Sequence, residues 1–152
     1  MQKILLALLA SIISSQTNSN IQDKFDGSSS NSLKARFTQT YSKVDNAKMM
    51  KLKKETLQAG GKAVPVLVEV MKDKKYPDKN RWMATFLLGR IMGEKSGPFI
   101  SKFLEHPNWV LRMASLKTLL ALEEKRFAGK YAEALSDEAW LVRKQALENI
   151  KF

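Results

Sequence analysis

One pattern limits this chain more than any other: Arg-x-x-small-x-x-x-aliphatic, three times over at a fixed interval. It reads Arg81/Ala84/Leu88, then Arg112/Ser115/Leu119, then Arg143/Ala146/Ile150, each copy 31 residues after the last. Positions i, i+3 and i+7 share one face of a helix and would scatter over both faces of a strand. The same interval of 31 relates Leu104 to Leu135, Trp109 to Trp140, Leu116 to Leu147, and Pro98 to Gly129. The first copy has a longer loop between Met71 and Arg81. One unit further back Leu57 keeps the register, while Met50 and Lys53 stand in for the arginine and the small residue, as in a degenerate cap. A period in this range signals a solenoid, in which each unit buries its apolar face only against its neighbours.

Breakers divide the chain into helix-sized pieces: Gly60-Gly61, Pro77, Gly93, Gly97-Pro98, Pro107 and Gly129. Strand signals are nearly absent after Leu33. The pattern predicts A helices over Ala63–Lys72, Pro98–Glu105 and about Phe127–Leu135. It predicts B helices over about Lys79–Met92, Trp109–Leu122 and Ala139–Lys151. The small residue of each B helix lets its A helix come close, and the aliphatic one fills the space between units.

Upstream of the repeats the chain changes character. Lys3 gives a cationic start, Ile4 to Ile13 is an apolar run, and small polar residues follow to Asn20. That order predicts a secretory signal peptide over 1–19, with cleavage between Ser15 and Asn20, and hence export to a periplasm or the outside of the cell. The apolar run is half of the roughly 20 residues needed to span a bilayer. Residues 20–32, rich in Ser and Asn, read as a flexible linker, 33–60 as degenerate capping helices, and 61–152 as the repeats. The chain has no cysteine. Disulfides, thiolate metal sites and cysteine nucleophiles are therefore excluded, and the fold must rest on core burial.

Charge is unevenly spread. From Lys34 to Lys95 there are 15 Lys/Arg against 6 Asp/Glu, whereas from Ser96 to Phe152 there are 9 against 7. A basic first half fits either an acidic partner at one end of the molecule or a solvated lysine-rich surface.

The segments Leu104-Glu-His-Pro-Asn-Trp-Val-Leu-Arg112 and Leu135-Ser-Asp-Glu-Ala-Trp-Leu-Val-Arg143 resemble the HEAT repeat, its PBS-lyase HEAT-like variant in particular. The likeness covers roughly 61–152. It implies an all-α fold, a short right-handed α-solenoid of about three to four helix pairs, with the B helices on the concave face. It also implies that the repeated arginines tie a turn to a neighbouring unit by hydrogen bonds, and that the whole works by binding.

The candidate sites follow from this layout. Columns along the B helices run Trp82/Met113/Lys144 and Phe86/Lys117/Glu148, and Trp82, Phe86, Met113, Lys117 and Lys144 are the candidate contacts for a protein or peptide partner. The helix around Trp82 is apolar nearly all round, so either residues 33–58 cover it or it exposes a recognition surface. Lys51, Lys53, Lys54, Lys74 and Lys75 form a basic end. Arg81, Arg112 and Arg143 form a ladder that is either structural or an anion groove. Trp109 and Trp140, at B-helix starts, are expected to be packing elements, and Asp137 a cap for the helix that follows. His106 is the only histidine and occupies the place of Asp137 one unit earlier. No catalytic constellation, metal site or cofactor motif is present. The expected function is partner binding; a polyanion binder through the lysine-rich half and a HEAT-like DNA glycosylase are the rival readings.

Overall fold

In a computed structural model, residues 27–42 and 45–152 are described, and the proposed signal peptide lies outside them. Helix α1 spans Gly27–Phe37, α2 Asn46–Ala59, α3 Val64–Lys72 and α4 Asp78–Met92. Helix α5, Gly97–Ile100, continues as a 3-10 turn over Ser101–Glu105, and α6 spans Trp109–Ala121. Helix α7, Ala128–Glu133, has 3-10 turns on both sides, Lys125–Phe127 and Ala134–Ser136, and α8 spans Trp140–Lys151. The described residues contain no strand.

These elements form four A–B pairs: α1–α2, α3–α4, α5–α6 and α7–α8. The B helices pack in series, α2 on α4, α4 on α6 and α6 on α8, and α1 packs on α3. The core runs the length of the stack through Phe37, Leu52, Leu67, Met71, Leu87, Leu88, Ile100, Leu111, Leu116 and Leu119, all essentially inaccessible. The repeated small positions Ala84, Ser115 and Ala146 are fully buried, as close approach requires. Gly89 shows how close: a Cβ there would lie 2.5 Å from Cγ2 of Thr118 on α6. The B helices also end alike. Gly60 and Gly93 cap α2 and α4 at φ values of 55° and 58°, which glycine tolerates best, and Glu123 holds φ 56° just after α6.

Three expectations need correction. The segment 20–32 is not all linker, because α1 begins at Gly27; Leu33 and Phe37 are buried, and their packing carries the serine-rich first turns into the helix. On α2 the buried face is Met49, Leu52 and Thr56, each one residue before the Met50/Lys53/Leu57 register. The helix is turned by about 100° relative to that register, one residue's worth of rotation. The physical reason is Lys53: the expected register would bury its ammonium at the small position, whereas the observed one buries Leu52 and leaves Met50 59% exposed. Trp109 and Trp140, expected to pack, are 42% and 60% exposed. As first residues of their helices, their side chains lean back toward the N-terminus and off the core.

Candidate functional site

The B-helix face brings one residue of each column together. Trp82 on α4 is half-buried, and the ammonium of Lys117 on α6 sits 5.6 Å from its ring centroid, a cation–π contact that bridges two units. Phe86, one turn further along α4, is 40% exposed. Met113 is partly buried against the core, while Lys144 and Glu148 on α8 are exposed. The covering reading of α4 thus holds for part of the helix, and Phe86 stays exposed. Residues Leu33, Phe37, Tyr41 and Leu52 join the core against which Met83, Leu87 and Leu88 pack, and Phe86 is left open.

The lysines differ in their surroundings. Lys53, Lys54, Met50, Leu57 and Gln58 line a shallow, open depression of about 460 Å³ on α2. Lys51 stands 3.9 Å from Glu55, a long ion pair at the surface. Lys75 is engaged: its ammonium lies 3.0 Å from Asp73 and 3.2 Å from Glu69, and these bonds push its pKa up. Glu69 also takes Lys34 at 2.5 Å and the Tyr76 hydroxyl at 2.9 Å. Lys74 is exposed.

The arginine ladder is built into the units. Arg81 is 2% exposed and donates through Nε and Nη2 to the carbonyl of Met71, at 3.2 and 3.0 Å. Arg112 is 8% exposed; its Nη1 donates to the carbonyls of His106 and Pro107, at 2.8 and 2.9 Å. Its Nε and Nη2 grip Asp137 of the next unit bidentately, at 2.6 and 2.8 Å, and Nη2 also reaches Glu138. Asp137 in turn accepts from the Ala139 N–H at 2.8 Å. Burial pushes the Asp137 carboxyl up, but the bonds from Arg112 and Ala139 outweigh it and hold its pKa below the ordinary range. The Asp137 bond likewise raises the Arg112 guanidinium. Arg143 is exposed, with Nη1 donating to the carbonyls of Asp137 and Glu138.

Arg81 and Arg112, read as candidate anion ligands, therefore point into the protein. Asp137 does more than cap: it is the acceptor that locks two units together. The sequence holds a signal for this, since Asp137 and Arg112 are 25 residues apart in a 31-residue period, one turn into the next unit.

The family model for HEAT repeats matches residues 64–151. The chain belongs to the HEAT repeat family. The match begins at the first residue of α3 and takes in the last three A–B pairs, leaving α1 and α2 outside it. No curated protein and no solved structure matches the chain. HEAT repeats commonly mediate protein interaction. Among the described residues no group of His, Asp or Glu has the arrangement of a metal site, and no helix is long and apolar enough to cross a membrane.

Proposed function

We propose that this HEAT repeat chain is an exported, non-catalytic module that binds an acidic protein or peptide through its B-helix face. The observation that carries the reading is the cluster of Trp82, Lys117 and Phe86 across α4 and α6. It combines a half-exposed aromatic pair with a cation already oriented by a ring, on the side that HEAT solenoids make concave. Aromatic anchors beside a positive charge suit an acidic segment with an apolar residue next to its carboxylates. Lys144 extends the positive charge onto α8.

The polyanion reading has less to stand on. Two of the three ladder arginines are internal, and Lys75 already has two carboxylate partners. Export rests on the order of residues in 1–19 alone.

The test is capture of a partner by the mature chain at low and high salt, with Trp82→Ala and Phe86→Ala beside the wild type. A partner kept at high salt and lost in both variants supports the reading. Capture that vanishes with salt and ignores the substitutions sinks it in favour of polyanion binding. N-terminal sequencing of the exported chain checks the other half; the first residue is expected between Ser15 and Asn20.

A further inference from the structure

The exposed cations of the B-helix face lie on one line across α4, α6 and α8. Arg90, Lys117 and Lys144 are 27 residues apart, four fewer than the period of 31, so each stands about one turn earlier in its helix than the last. All three are exposed, and among the described residues none has a carboxylate partner; Lys117 meets only the ring of Trp82. Lys34, Lys75, Arg112 and Lys130, by contrast, are each paired with an acid.

The same step of 27 draws a second line one turn nearer the helix starts, through Phe86, Met113 and Trp140. Phe86 and Trp140 are exposed, and Met113 is partly buried. Trp82 and Trp109 begin a third line. Exposure at the helix starts does not come from standing last in the stack: Trp109, whose helix has α8 packed beyond it, is still 42% exposed. A basic stripe thus runs beside an apolar one, and Glu148, one turn past Lys144, lies outside both.

Spacing decides what fits such a surface. Neighbouring helices pack about 10 Å apart, so successive cations are separated by about that distance. In an α-helix seven residues rise about 10.5 Å and return to nearly the same face. An extended strand covers the step in roughly three residues, and residues three apart point to opposite sides.

We propose that the B-helix face takes an acidic amphipathic helix of its partner, laid diagonally across α4, α6 and α8. A carboxylate every seven residues meets Arg90, Lys117 and Lys144, and apolar side chains beside them meet Phe86, Met113 and Trp140. This rests on the partner-binding reading above and adds the shape and charge pattern of the ligand. Residues 1–26 of the chain do not match it, because they hold two carboxylates, Asp23 and Asp26, against Lys3 and Lys24.

The test uses two synthetic peptides of one composition and net charge. The first carries glutamate at every seventh position with leucines on the adjoining face; in the second the order is shuffled so that the glutamates share no face. Binding to the whole chain is followed by fluorescence anisotropy at physiological salt, and helix content by circular dichroism. The patterned peptide is expected to bind about tenfold more tightly and to gain helix on binding. Arg90→Ala and Lys144→Ala should each weaken it about threefold, while Lys102→Ala, at an exposed lysine of the turn after α5, leaves it unchanged. Equal binding of the two peptides overturns the proposal, and its loss in Trp82→Ala would then keep the broader partner-binding reading. Tight binding without a gain of helix, or binding indifferent to Arg90 and Lys144, overturns it too. If neither peptide binds, the acidic helix is wrong, and the capture experiment decides the broader reading on its own.

Discussion

The last two junctions of the stack place the same arginine at the same step of the repeat, yet they join their units by different chemistry. Between α6 and α8, Arg112 finds a carboxylate, and a bidentate bond closes the gap. Between α4 and α6, Arg81 finds His106, whose Nε2 lies 3.4 Å from Nη2. That contact is not a tie. His106 Nδ1 accepts the Asn108 N–H at 3.0 Å, so in the neutral ring Nε2 carries the hydrogen and faces another donor. The ring stacks on Phe103 instead, and Arg81 turns to the Met71 carbonyl. A different bond spans this junction, from Asn108 Nδ2 to Asp78 at 2.8 Å. The repeat therefore specifies geometry, and the residue at the turn decides whether that geometry includes an ion pair.

The largest effect should come from breaking the stronger junction. Arg112→Ala leaves the largely buried carboxylate of Asp137 without its cation and is expected to cost about 3 kcal/mol in chemical denaturation. Arg81→Ala should cost less, about 2 kcal/mol, because it removes two bonds to one carbonyl and a long ion pair to the half-exposed Asp78, and strands no buried charge.

His106 sharpens the comparison through pH. Burial first, and then the neighbouring Arg81 charge, hold its pKa below the ordinary histidine value. The unfolded chain therefore takes up the proton first. The stability due to neutral His106 is complete above about pH 6.5 and is lost as pH falls through the lower folded-state pKa. His106→Asp should abolish this loss in thermal melts between about pH 7.5 and 5.5, and raise stability at neutral pH by about 1 kcal/mol, by giving Arg81 the partner that Arg112 has.

The smallest effect concerns the small positions. Ser115 is fully buried, its hydroxyl has no hydrogen-bond partner among the described residues, and the other two copies of the pattern carry alanine there. Ser115→Ala should stabilise by up to about 1 kcal/mol, measured as a shift in the urea midpoint at unchanged slope.

Much of the stack is legible in the sequence. The interval of 31 places the last three pairs closely, because core packing fixes the i, i+3, i+7 stripe of each B helix. Its failure at α2 is instructive. Leu57 alone holds the register there, and a single aliphatic residue does not outweigh the cost of burying Lys53. Trp109 and Trp140 repeat at the interval without packing, since the first residue of each helix projects away from the core. The residues of the B-helix face follow from periodicity as a column. The Trp82–Lys117 contact does not, because it depends on how far α6 lies from α4. The buried fate of Arg81 and Arg112 turns on the carbonyls of Met71, His106 and Pro107, and backbone acceptors leave no mark in a sequence.

Arg81 and Arg112 are inward, structural arginines, and what each adds across its junction depends on the residue it meets in the next unit. A double-mutant cycle of Arg112→Ala and Asp137→Ala, measured by urea unfolding at neutral pH, tests this most directly. The expected coupling is about 2 kcal/mol, with the parallel cycle of Arg81→Ala and His106→Ala giving less than about 0.5 kcal/mol. Equal couplings at the two junctions, or none at Arg112, would contradict the account.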